Sequence, residues 1–125
     1  MSYLQNNNSP LTQKSYLFAI KIVNMVKQTV CSPKEYGMLN QVFRSGTAIG
    51  ALVSEAVYAQ SSADFIHKLS IALKECNETL YWLNILYDTE YISKEQFEIM
   101  GSDCQEVLAL LIASIKTTKK NNETK

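Results

Sequence analysis

At 125 residues the chain has room for one hydrophobic core and no second domain, because a chain of this size buries roughly two-thirds of its unfolded surface around a single centre. With 46% apolar residues, four glycines and two prolines, the composition excludes a disordered or collagen-like chain and favours long helices over strand-rich folds, which need more turn residues. Twelve basic residues balance twelve acids, so there is no global attraction to nucleic acid or membrane.

The first predicted helix runs from about Pro10 to Val30. Leu17, Phe18, Ile20, Ile22, Val23, Val26 and Val30 give it a broad apolar face at helical spacing. Ser9 and Thr12 are equally good caps, since both side chains accept a hydrogen bond from the free amides of a first turn. The second start is sharper. Ser32-Pro33-Lys34-Glu35 places a hydroxyl at the cap, proline where no amide is needed and a glutamate to reach back. This helix extends to about Gln60, with Leu39, Phe43, Ile49, Leu52, Val53, Ala56 and Val57 as its buried stripe.

Ser61-Ser62-Ala63-Asp64 is a second capping box, so helices two and three meet across a short turn and run antiparallel. Helix three reaches about Tyr87 on the spacing of Phe65, Ile66, Leu69, Ala72, Leu73, Cys76, Leu80, Leu83 and Leu86. Ser93-Lys94-Glu95-Gln96 opens helix four, which carries Phe97, Met100, Cys104, Val107, Leu108, Leu111, Ile112 and Ile115 on one side and ends near Lys116. Four such segments, each ~30 to 42 Å long at 1.5 Å per residue, bury their stripes as an antiparallel up-down-up-down four-helix bundle. The fold class is therefore all-α, one domain over 1–125, with 1–9 and 117–125 expected to be flexible.

Charge is unevenly spread. Residues 1–31 carry three lysines and no acid, 32–110 five bases against eleven acids, and 111–125 four lysines against one acid. A polyanion is repelled by the middle and can be held only at the ends. Cys31, Cys76 and Cys104 are odd in number, widely spaced and without a C-x-x-C pair, which argues against a disulfide framework and a zinc site. They read as reduced core thiols. The start of the chain has neither a charged head nor an apolar run, and no stretch reaches the ~18 apolar residues of a membrane helix. The expected compartment is the cytoplasm.

One motif stands out. Within helix two, Arg44-Ser45-Gly46-Thr47-Ala48-Ile49-Gly50-Ala51 contains two glycines that each cost ~1 kcal/mol relative to alanine in a helix interior. Close backbone approach offsets that cost: Gly46, Gly50 and Ser54 recur at spacing four and leave a groove for another helix, of this chain or of another subunit. Arg44, the only arginine, and Glu55 are ~16 Å apart along the helix and cannot pair with each other. Each can meet an opposite charge from helix three, such as Glu78 or Lys74, or from a neighbouring subunit, where the arginine fork bonds a carboxylate at two points. A ligand contact is the alternative role for Arg44. Tyr81 and Trp82 are adjacent on helix three, so their side chains diverge by ~100° and one of them points away from the core; the outward ring suits a subunit interface.

No catalytic centre, metal site or cofactor site is expected. A di-iron bundle needs glutamates from four helices and two Glu-x-x-His elements, whereas this chain has the single histidine His67, three residues after Asp64. Arg44 and His67 lie on different helices, which does not match the arginine and histidine spacing of four-helix RNA-cleaving toxins. Cysteines on apolar stripes stay protonated and supply no nucleophile.

Arg44 to Ala56, Asp64-Phe65-Ile66-His67-Lys68-Leu69-Ser70-Ile71-Ala72-Leu73-Lys74-Glu75 and Glu78-Thr79-Leu80-Tyr81-Trp82-Leu83 resemble the four-helix bundle family named for reading frames in 23S ribosomal RNA intervening sequences. The resemblance covers about residues 13–116. Its helix-two pattern is R-S-x-x-S-[IV]-x-x-N-[IV]-x-E. The resemblance implies a homopentamer of bundles around a central channel, with no activity assigned to most members. A related branch, the accessory variability determinant of diversity-generating retroelements, is a basic pentamer that binds a reverse transcriptase and nucleic acid; this chain is not basic. It also has Leu52 where the family has asparagine and Ala48 where it has serine, which reduces any polar network there to Arg44, Ser45 and Glu55.

Two functional expectations follow. The first is a non-enzymatic homo-oligomeric scaffold whose helix-two groove and outward aromatics form the interfaces. The alternative is a nucleic-acid-binding accessory protein, partnered with a reverse transcriptase or ribosomal RNA, in which Lys14, Lys21, Lys27, Lys116, Lys119 and Lys120 gather into a ring.

Overall fold

The computed structural model describes residues 3, 4 and 9–123; the flexibility expected of 1, 2, 5–8, 124 and 125 lies outside the described residues. Among the described residues four long helices follow one another: α1 (Pro10–Gln28), α2 (Tyr36–Val57), α3 (Ser62–Asp88) and α4 (Lys94–Glu123). α1 packs on α2, α2 on α3, α3 on α4 and α4 back on α1. Neighbours in sequence are neighbours in space, as short antiparallel connections require.

The starts are made by local chemistry. Ser9 accepts from the Thr12 amide at 3.1 Å and donates its own proton to the Thr12 hydroxyl at 2.9 Å, so Ser9 is the cap of α1. Ser61 accepts from the Asp64 amide at 3.0 Å, and Asp64 reaches back to the Gln60 amide at 3.3 Å. Ser93 and Gln96 bond reciprocally at 3.1 and 3.2 Å, a complete capping box.

The box expected at Ser32 does not form. Pro33–Glu35 make one 3-10 turn ahead of α2, and the Glu35 carboxylate takes the hydroxyl of Ser32 and, at 2.7 Å, that of Tyr91. A distant phenol outcompetes the local amide. α1 ends at Gln28 rather than near Val30 because Thr29 turns extended and bonds back to the Met25 carbonyl through its amide at 3.0 Å and its hydroxyl at 2.7 Å. α2 ends at Val57 rather than near Gln60, where the Tyr58 and Ala59 amides tighten onto Glu55 and Ala56. At the end of α3, Glu90 adopts φ 68° and the Tyr91 amide bonds the Leu86 carbonyl at 2.8 Å, a Schellman close. α4 does not fray at Lys116 but continues to Glu123, since lysine, threonine and asparagine without proline or glycine carry no signal that stops a helix.

The core is built on Phe18 and Ile22 of α1, Val42 and Ile49 of α2, Leu69 and Leu83 of α3, and Val107 and Leu111 of α4, each at most 1% exposed. Part of the predicted apolar stripes is not in it. Leu17, Ile20, Phe43 and Val57 are 44%, 37%, 42% and 54% exposed, and Val30, beyond α1, is 90% exposed. Each bundle helix presents only one sector to the core, and these residues fall outside that sector although their spacing is helical.

Candidate functional site

Both flanks of α2 carry the sequence motif. Towards α1, a Cβ added at Gly46 would lie 2.7 Å from the buried side chain of Ile22, and one at Gly50 would lie 3.2 Å from the main-chain oxygen of Ser15. The groove is therefore filled by α1 of the same chain, not by a neighbouring subunit. Outside that contact, Ser54 joins Tyr16, Ala19, Thr47, Gly50 and Ala51 around a shallow depression of about 290 Å³ that Tyr3 also lines, its ring stacked on Tyr16 at 4.4 Å.

Towards α3 the contacts are polar. Arg44 forks onto Glu75, Nη1 to Oε2 at 2.9 Å and Nη2 to Oε1 at 3.2 Å, and its Nη2 also meets Glu78 Oε2 at 2.6 Å. Hydrogen bonds to Glu75 and then Glu78 hold the guanidinium protonated well above its ordinary range. Glu78 further accepts from the Trp82 indole at 3.3 Å. Beneath this cluster the fully buried hydroxyls of Ser45 and Thr79 bond each other at 2.9 Å. Glu55 pairs with Lys68 at 3.1 Å, six residues before the Lys74 expected from spacing, which is exposed. Arg44 has both carboxylates it can fork, so the structural bridge explains it without a ligand.

Tyr81 is the outward ring, 58% exposed, set edge-on at 5.1 Å to Trp82, which packs against the core. The six lysines do not form one patch. Lys14 pairs with Glu106 at 3.2 Å and Lys21 with Asp103 at 2.5 Å, and Lys27 stands about 20 Å further along α1 than Lys14. Lys116, Lys119 and Lys120 are exposed on the last turns of α4. His67 is exposed, and Asp64 is engaged in the cap of α3. Cys76 and Cys104 are fully buried against each other, the Cys104 thiol donating to the Cys76 carbonyl at 3.6 Å. Hydrogen bonding with Cys104, then burial, pushes the Cys76 thiol up, so it stays protonated. Among the described residues no three potential metal ligands come together.

Sequence reasoning missed one feature. Where the start of α1, the end of α2, the start of α3 and the last third of α4 converge, a cleft of about 510 Å³ opens, lined by Leu11, Val53, Phe65, Leu69, Leu110, Ala113, Ser114, Thr117 and Thr118 among others. The signal was present: after Leu110, the positions of α4 that face this end hold alanine, serine and threonine instead of leucine.

The geometry defines an all-α, up-down-up-down four-helix bundle whose second helix is clamped to the third by an arginine fork. Within that class, the chain belongs to the 23S rRNA-intervening sequence protein family, whose sequence model matches residues 7–113. It is similar to a crystal structure of a protein of unknown function from the S23 ribosomal protein family of Bacteroides thetaiotaomicron, with 54% identity, a TM-score of 0.80, and a match spanning 85% of this chain and 98% of that one. No curated protein matches the chain.

Proposed function

We propose that this protein is a non-enzymatic cytoplasmic scaffold that self-associates through its outer helix faces, with five copies as the expected number. One observation carries the reading: the bundle leaves large apolar side chains in solvent on every helix. Leu17 and Ile20 of α1, Tyr36 and Phe43 of α2, Tyr81 of α3 and Ile99 of α4 are 37% to 58% exposed. Tyr36 and Phe43, two turns apart, share one face of α2. Scattered single apolar residues are ordinary on a surface, whereas the repeated ones along α1 and α2, joined by Tyr81 and Ile99, suit association. Because α1 occupies the Gly46 and Gly50 groove, the association rests on these outer residues and not on that groove.

Light scattering on the purified chain tests the proposal. A mass about five times the 14.1 kDa of one chain is expected, with dissociation in Phe43→Lys or Tyr81→Lys; a monomer at micromolar concentration overturns it. A nucleic-acid role has weaker support, because Lys14 and Lys21 are engaged by acids of α4. What favours it is the exposed trio Lys116, Lys119 and Lys120, and its test is salt-sensitive RNA or DNA binding that falls when all three become glutamine.

A further inference from the structure

The cleft at the open end of the bundle has the size of a small-molecule site. Its volume of about 510 Å³ lies within the roughly 300–1,000 Å³ of ligand pockets. A partner helix does not fit: at ~10 Å diameter and 5.4 Å pitch, about one turn would fill it. Among the described residues no charged side chain lines the cleft. Of the five hydroxyls in the lining, three are turned to internal use, Ser9 and Thr12 to each other at 2.9 Å and Thr118 to the Ser114 carbonyl at 2.9 Å, which leaves those of Ser114 and Thr117 in an otherwise apolar wall. The wall thus offers methyl and methylene groups and asks for an apolar occupant.

The rim has the opposite character. Lys116 and Lys120 follow the lining residues Ala113 and Thr117 by three positions, which places them on adjoining rows of α4. Both are exposed, and among the described residues neither is held by a carboxylate, unlike Lys14 and Lys21. An apolar cavity bordered by unpaired cations complements a molecule with an aliphatic chain and an anionic head. We propose that this end of the bundle binds a free long-chain carboxylate, its chain in the cleft and its head group at Lys116 and Lys120.

Displacement of a fluorescent aminoundecanoate probe by dodecanoate, on the full chain, tests this. Saturable binding is expected, weakened about tenfold by Ala113→Phe and by Thr117→Trp. Both replacements fill the cleft from positions exposed in the fold, and a retained helical melting curve verifies that each variant is folded. The double change K116Q/K120Q is expected to weaken dodecanoate about threefold at low salt and to leave dodecanol untouched. Absence of saturable binding overturns the proposal, as does affinity unchanged by both filling variants. Equal binding of acid and alcohol with no effect of the lysines overturns the carboxylate assignment. Co-sedimentation with anionic phospholipid vesicles, without affinity for free dodecanoate, replaces the free acid by a membrane surface and also overturns it.

Discussion

The two flanks of α2 solve the same problem, holding one helix against another, by opposite means. Facing α1, the side chain is removed: Gly46 and Gly50 bring backbone onto Ile22 and Ser15. Facing α3, side chains reach across: Arg44 to Glu75 and Glu78, Ser45 to Thr79, Glu55 to Lys68. The difference lies in how each fails. A bare-backbone contact depends on shape in a close-packed interior and has no slack. A polar clamp at the surface is screened by water and can lose one member cheaply.

The shape-dependent flank should break hardest. Gly46→Val is expected to destabilise the protein by about 3 kcal/mol, the upper range for forcing methyl groups into a packed core, because Ile22 is fully buried and stiff at its branched carbon. Removing the obstacle tests the cause. In an Ile22→Ala background the same change should cost at least ~1 kcal/mol less, a coupling that urea denaturation resolves at fixed protein concentration. Equal cost in both backgrounds would show that the glycine serves something other than the approach of α1.

Next in size is the buried hydroxyl pair. Thr79→Val should cost about 1 kcal/mol by removing the donor to the buried Ser45 oxygen, whose own proton has only the Val42 carbonyl, 3.5 Å away. Ser45→Ala should cost less, since the Thr79 hydroxyl keeps the Glu75 carbonyl at 2.7 Å. The double variant should be less destabilised than the sum of the two. Smaller again is the clamp. Arg44→Lys keeps the charge but loses the fork, and with half the arginine side chain exposed the expected loss is about 0.5 to 1 kcal/mol. The loss should shrink in high salt; a salt-independent effect of several kcal/mol would mean that Arg44 supports packing beyond its two carboxylates.

How far these features could be read in the sequence depends on whether their cause is local. Two of the four helix starts were legible because a serine and its own third amide suffice, at Ser61 and Ser93, whereas at the first the sequence leaves Ser9 and Thr12 equal and the structure chooses Ser9. Glu35 was misread because its partner Tyr91 lies in the turn after α3, 56 residues away. The glycine spacing announced a close approach but not whose helix makes it, since a groove looks the same to α1 and to a neighbouring subunit. Likewise Phe43 and Leu17 have helical spacing, yet spacing does not say how wide a sector the other helices cover. The cleft was least legible, being a volume left empty: Ala113, Ser114, Thr117 and Thr118 read as an end of helix until three other elements enclose them. Family membership, by contrast, was legible in local runs, Arg44 to Ala56 with Asp64 to Glu75 and Glu78 to Leu83, all inside the residues 7–113 that the family model matches.

The gentlest test extends the polar flank to the start of α2, where Glu35 ties it to the turn after α3. The hydroxyl of Ser32, then that of Tyr91, holds the Glu35 carboxyl below its ordinary value. A carboxylate whose pKa is depressed by folding adds stability above its unfolded value of about 4.3, and that stability is lost as pH falls through the lower folded value. Tyr91→Phe removes the phenol and should lower stability slightly at neutral pH. The gap to wild type should close on acidification below about pH 4 as both proteins carry Glu35 protonated. For its part Tyr91, held up by the same bond, contributes below its ordinary value of about 10 and loses its share only in alkali. Denaturation midpoints of the two proteins measured from pH about 3 to 8 check this. A gap that stays constant through the acid range would assign the effect of Tyr91 to packing of its ring and leave the α3 flank with one polar tie fewer.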